Sequence, residues 1–239
     1  SMRDFSRITE PLKEFGANFK SNNNKLPVEI FGSEYLRPID YFEKIGSAQC
    51  KSAVMLAALK TPGITKIKAK KSRDHTELLL KSLNIPIKIS KTSDYDLIEI
   101  KGQNSFTGFN YHVPGDISSC SFFLVLTILG DNSSLTIRKV NINKTRIGIL
   151  NILRKMNANI NIKNKKKYKG ELIGDIICRG RNNLKAIRCP KKFNTSAIDE
   201  FLIIFLVAAK ANGISYFKNL SELNQKESPR LKWGSKILN

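Results

Sequence analysis

Ser47-Ala48-Gln49-Cys50-Lys51-Ser52-Ala53-Val54-Met55-Leu56-Ala57-Ala58-Leu59 leads through Pro62-Gly63 and Ile64-Thr65-Lys66-Ile67-Lys68-Ala69 to Ser72-Arg73-Asp74-His75-Thr76-Glu77. The first run is apolar on nearly every side and reads as a helix over residues 47–59. Pro62-Gly63 is turn chemistry, and residues 64–69 alternate in the two-residue period of a strand. An amphipathic helix is predicted over 74–83, with Leu78, Leu79, Leu80 and Leu83 at helical spacing, and a further strand over 85–89. Polar donors thus stand at two helix starts within one unit. Backbone N–H groups there lack partners and carry partial positive charge, so they suit phosphate or carboxylate. By type and position alone, Ser47 and Ser72 read equally well as ordinary helix caps.

Outward from this stretch the same order recurs. An apolar helix is expected over 118–129, a strand over 135–140, an amphipathic helix over 144–156 and a strand over 160–162. A third copy is expected as a helix over 199–211, Gly213 as its C-cap, a strand over 214–220, and a helix opening near Lys226. Helices apolar almost all round are expected to be covered on several sides, and units this small to pack on one another. His112-Val113-Pro114-Gly115-Asp116 is a breaker cluster, giving an expected division into residues 1–113 and 114–239. The lysine-rich stretch 163–170 reads as a surface hairpin or loop.

Composition narrows the function classes. At 239 residues and 41% hydrophobic the chain can bury a core. Its longest apolar run, 201–209, is too short for a membrane helix. Four scattered cysteines without a C-x-x-C pair, and two histidines, argue against zinc sites and disulfides and fit a cytoplasmic protein. No cofactor or metal is expected. The net charge of +21 invites a nucleic-acid reading. However, Lys outnumbers Arg 30 to 11, and the densest basic run holds only Tyr168 as a stacking ring, so most of the charge reads as solvated surface.

Taken together and in order, several segments resemble the 5-enolpyruvylshikimate-3-phosphate synthases, or 3-phosphoshikimate 1-carboxyvinyltransferases. These are Ser47-Ala48-Gln49 with Lys51-Ser52-Ala53, Pro62-Gly63-Ile64-Thr65, and Ser72 to Glu77. Pro114-Gly115-Asp116 with Ser118-Ser119, Thr145-Arg146 with Gly148, Ile198-Asp199-Glu200, and Lys226-Glu227-Ser228 with Arg230-Leu231 continue the match. The resemblance implies an α/β (α+β) fold of strand–helix units with buried parallel helices, in two partial domains. It also implies that the chain is an internal stretch of a longer transferase, inactive alone. The family moves the enolpyruvyl group of phosphoenolpyruvate onto the 5-hydroxyl of shikimate 3-phosphate.

The site residues follow from the same resemblance. Ser47, Ala48, Gln49, Ser72, Arg73, Asp199 and Lys226 would bind shikimate 3-phosphate; Arg3, Gln49 and Arg230 would bind phosphoenolpyruvate. Asp199 would accept the hydroxyl proton, and Glu227 would shuttle the proton at the methylene carbon. On residue type alone, Asp199 is a helix-start carboxylate complementing the macrodipole, and Glu227 with Arg230 an i,i+3 surface pair. The chain departs from the family pattern at Pro229, where an Asp is usual, and at Asn224-Gln225, where Arg-Val is usual. Other readings are the related UDP-N-acetylglucosamine enolpyruvyl transferase and a basic nucleic-acid module of similar repeat. The partners expected are the two small anionic substrates and, through an incomplete domain, a second copy of the chain.

Overall fold

The computed structural model describes residues 4–102, 105, 107–180, 183–225 and 228–238. Arg3, Lys226 and Glu227 lie outside the described residues. The chain divides into two compact units, Ser1–Asn110 and Tyr111–Asn239. Among the described residues no helix is long and apolar enough to cross a membrane.

The first unit opens with α1 (Ser6–Phe15) and the hairpin β1 (Asn18–Asn22) and β2 (Lys25–Phe31). It continues with β3 (Asp40–Glu43), α2 (Ala48–Ala58), β4 (Ile64–Lys70), α3 (His75–Ser82), β5 (Ile87–Lys91) and β6 (Tyr95–Lys101). The last four strands form one sheet in the order β3-β4-β6-β5. β3 and β4 are parallel, and β6 runs antiparallel to both β4 and β5. Along β4, Thr65, Ile67 and Ala69 are buried while Ile64, Lys66, Lys68 and Lys70 face out. The inward set meets Val54, Met55 and Ala58 of α2 and Leu80 of α3, with Ile98 and Ile100 from β6. Parallel strands need crossover helices. Because α2 and α3 each follow one of a parallel pair, both helices start beyond the C-terminal ends of β3 and β4, at the same end of the sheet.

The second unit holds α4 (Ile117–Leu129), β7 (Ser134–Asn141), α5 (Gly148–Lys155), β8 (Asn159–Tyr168), β9 (Glu171–Arg179), α6 (Phe201–Lys210) and α7 (Arg230–Leu238). Its sheet runs β7-β9-β8. The repeat is therefore longer than the sequence pattern suggests. In both units the second helix is followed by a hairpin whose last strand inserts between the hairpin's first strand and the strand before the helix, β6 between β4 and β5 and β9 between β7 and β8. The stretch 163–170 is the end of that hairpin: β8 continues to Tyr168, and Lys169 and Gly170 turn with φ of 47° and 86°. Two residues with positive φ suit the twist of antiparallel strands.

The third copy departs from expectation. No strand forms over 214–220; instead 184–189 and 212–216 exchange four backbone hydrogen bonds through two isolated parallel bridges. The ladder breaks where the Ile187 N–H donates to the Ser215 hydroxyl at 3.2 Å, and Asn219 turns left-handed with φ of 61°. Helix α6 begins two residues later than expected, at Phe201, and ends at Lys210, with Ala211 rather than Gly213 as its C-cap. α7 begins at Arg230, not near Lys226.

Burial of the apolar helices is one-sided. In α4, Leu124, Val125 and Ile128 are buried, but Phe122 (66%), Phe123 (60%) and Leu126 (71%) stand exposed in one stripe.

Candidate active site

The first unit joins two of the clusters singled out in the sequence. Ser47 caps α2, its hydroxyl accepting the Cys50 N–H at 3.3 Å, and Ala48 and Gln49 form the opening turn. The loop ahead of it is shaped by Glu43, a buried carboxylate that accepts the Ile45 N–H at 3.1 Å and the Gly46 N–H at 2.6 Å. Gly46, at φ of 84°, takes a backbone conformation that other residues adopt only under strain.

One turn into α2, Lys51 reaches across to the start of α3. Its ammonium lies 2.5 Å from Glu77 Oε1 and donates to the Arg73 carbonyl at 2.8 Å. Beside it the Ser52 and Thr76 hydroxyls share a 2.6 Å hydrogen bond. These links hold the segments Ser47 to Gln49 and Ser72-Arg73 side by side. Ser72 is buried, and its Oγ has no hydrogen-bond partner among the described residues. Buried hydroxyls are nearly always bonded, so one left open beside two helix starts has the character of a ligand contact.

The second unit gathers charges around Asp199, which sits in the turn just ahead of α6. Arg146 Nη1 lies 3.4 Å from its Oδ2 and Arg230 Nη1 3.2 Å from its Oδ1, so two guanidiniums flank one carboxylate. Arg146 is nearly buried; its Nη2 also donates to Asp116 Oδ1 at 3.0 Å and to the Ser118 hydroxyl at 2.5 Å. Ser118 in turn donates to buried Glu200. Asp116 caps α4 by accepting from the Ser119 N–H at 3.0 Å. Burial pushes its carboxyl up, but the Ser119 N–H and the Arg146 guanidinium outweigh this and hold it below the usual carboxylate value.

Local chemistry explains where Arg146 stands. The Asn143 carboxamide oxygen accepts both the N–H and the hydroxyl of Thr145 at 2.8 Å, closing a tight turn at the head of α5. Gly148 then lets α5 press on the turn Thr195–Ala197: a Cβ there would lie 2.4 Å from Ser196 Oγ and 2.7 Å from its backbone carbon. That contact ties the turn leading into Asp199 to the helix that follows Arg146.

A model of the EPSP synthase family, 3-phosphoshikimate 1-carboxyvinyltransferase, matches residues 2–239. The chain belongs to that family. The curated 3-phosphoshikimate 1-carboxyvinyltransferase of Ruthia magnifica is 40% identical over 232 residues, covering 97% of this chain and 52% of the relative. That of Caldicellulosiruptor saccharolyticus is 40% identical over 233 residues, covering 96% and 53%. The solved EPSP synthase of Acinetobacter baumannii superposes with a TM-score of 0.86 at 34% identity, covering 99% of this chain and 53% of its own. The enolpyruvyl transferase NikO of Streptomyces tendae, at 13% identity and a TM-score of 0.66, shares the fold. The chain thus spans about half the length of the EPSP synthases it matches.

Within this member of the EPSP synthase family, Ser47, Ala48, Gln49, Ser72 and Arg73 fall in one unit, and Asp199 and Arg230 are paired in the other. The sequence reading did not single out Arg146, Asp116, Ser118, Glu200 and Lys51, which the structure brings into these two clusters. Their signal was present in the motifs Gly-Asp-x-Ser-Ser, Thr-Arg-x-Gly, Ile-Asp-Glu and Ser-Ala-Gln-x-Lys-Ser, but nothing in the spacing says which side chains meet. The two departures also find a place. The Asn224 side chain accepts the Leu231 N–H at 3.0 Å as a cap for α7, and the Pro229 carbonyl accepts the Trp233 N–H at 3.1 Å. Without a carboxylate at position 229, Arg230 is held by Asp199.

Proposed function

We propose that this chain carries the substrate-binding half-sites of an enolpyruvyl transfer from phosphoenolpyruvate to the 5-hydroxyl of shikimate 3-phosphate, and does not turn over alone. Residues 1–113 would supply later units of the family's first domain and 114–239 the opening units of the second. Ser47, Ala48, Gln49, Ser72 and Arg73 bind the phosphate of shikimate 3-phosphate, Lys226 holds the same phosphate, and Asp199 contacts the 5-hydroxyl. Asp199 takes the proton of the 5-hydroxyl as its oxygen adds to C2 of phosphoenolpyruvate, while Glu227 delivers a proton to C3. Departure of phosphate from C2 and return of a C3 proton to Glu227 then restore the double bond, now as the enol ether. Gln49, Arg230 and Arg3 hold phosphoenolpyruvate. Arg230 must exchange Asp199 for the incoming anion.

The observation that carries the reading is the buried, open Ser72 hydroxyl, tethered next to the Ser47 helix start. Both substrates are anions, so donors fixed in advance favour binding without reorganisation. A cytoplasmic setting fits the free cysteines, three of them buried. Self-association through the bare stripe of α4 is proposed as well, since contiguous exposed apolar surface favours contact with a like surface.

Calorimetric titration with shikimate 3-phosphate tests the binding reading. The wild-type chain is expected to bind, and a Ser47→Ala/Arg73→Ala double variant to lose the heat. A folded wild-type chain that binds nothing would refute the half-site.

A further inference from the structure

We propose that Lys51 is a positioning residue for the phosphate site, setting the geometry of the Ser72-Arg73 corner; this rests on the phosphate reading above. Lys51 is fully buried and spans from the first turn of α2 to the first turn of α3. Its ammonium serves two acceptors, Glu77 Oε1 at 2.5 Å and the Arg73 carbonyl at 2.8 Å. Glu77 is buried too, and its second oxygen has no partner among the described residues.

Stability alone does not account for such a pair. Taking both charges out of water costs about as much as their attraction returns, and well-packed apolar side chains of similar volume often do as well or better. What an apolar pair cannot do is donate to the Arg73 carbonyl. That hydrogen bond fixes the peptide between Arg73 and Asp74, and with it the direction in which Arg73 and its neighbour Ser72 present themselves. Glu77 keeps the ammonium charged and aimed. The ion pair is locally neutral, so its effect on an incoming anion is geometric: it holds the corner against the helix start capped by Ser47, four residues before Lys51. The Ser52–Thr76 hydrogen bond is a second, weaker tie along the same seam.

Two double variants separate positioning from bulk stability. Lys51→Met/Glu77→Leu removes the donor and both charges, whereas Lys51→Gln/Glu77→Gln removes the charges and keeps a donor for the Arg73 carbonyl. With comparable thermal midpoints, the Met/Leu variant is expected to bind shikimate 3-phosphate roughly tenfold more weakly than wild type, the scale of a small misplacement in a preorganised site. The Gln/Gln variant should stay within about threefold, rescued by its donor. Amide nitrogen shifts of Ser72 and Arg73 give a second readout that needs no ligand: displaced in Met/Leu, near wild type in Gln/Gln. Wild-type affinity or unmoved Ser72 and Arg73 resonances in the Met/Leu variant would overturn the proposal. If that variant does not fold, Lys51→Met/Glu77→Gln, which also removes the donor and both charges but keeps the shape of the side chain at 77, is read against the same two criteria. A wild-type chain that ignores shikimate 3-phosphate, while the amide shifts behave as described, would refute the substrate reading and leave the positioning role standing.

Discussion

Arg146 is the residue on which most of the second unit's charge depends. It is nearly buried and touches Asp116, Ser118 and Asp199, with the buried Glu200 carboxylate 3.9 Å away. Replacing it with Met leaves several carboxylates facing one another around an apolar side chain. Breaking a buried pair from one side typically costs about 3–5 kcal/mol, because the remaining charge is stranded. Arg146→Met is therefore expected to destabilise the chain by about 3 kcal/mol in urea unfolding, and adding Glu200→Gln to recover part of that loss. A change below about 0.5 kcal/mol, the scale of an ordinary surface substitution, would show that the cluster is solvated rather than coupled. None of this was legible from residue type: an Arg in a basic chain reads as surface until its neighbours are known.

At the scale of elements, periodicity located α2, β4, α3, α4 and β7 to within a residue or so, because each carries either an unbroken apolar run or clear alternation. It missed β6 and β9, the inserted central strands, and it cut β8 short. Lys163, Lys165, Lys166 and Lys167 mask the strand signal of β8, whose outer half is stabilised instead by pairing with β9, including Lys163 opposite Asp175. The strand at 214–220, expected from the repeated order of elements, did not form because side-chain hydrogen bonds to Ser215 and from Asn194 claim the backbone groups a ladder would use. Gly148 shows how close the packing between elements is. A methyl group there would overlap the Thr195–Ala197 turn, so Gly148→Ala should cost about 1–3 kcal/mol by overpacking. Circular dichroism melts of the variant check this, and a wild-type midpoint would mean the turn can move aside.

Over the whole molecule, the apolar content expected to close a core is only partly spent inside. The second unit's core closes around Leu124, Ile149, Ile152, Leu153, Phe201 and Ile204, yet the outer face of α4 keeps Phe122, Phe123 and Leu126 in solvent. Leu126→Lys, at a position 71% exposed, is expected to change stability by no more than about 0.5 kcal/mol. In sedimentation velocity the same variant should stay monomeric at concentrations where the wild-type chain associates. Equal association by both would move any self-contact away from α4. The sequence by itself determined the repeated apolar-helix units, the helix starts at Ser47 and close to Ser118, and the family, since these rest on local periodicity, capping chemistry and ordered motifs. Only the tertiary structure decided that Lys51 is buried against Glu77, that Arg146 and Arg230 share Asp199, and which face of α4 stays bare. Those outcomes join residues up to 53 positions apart, as Arg146 and Asp199 are, and depend on which charges lose their water when sheets and helices close, a choice no one-dimensional pattern encodes.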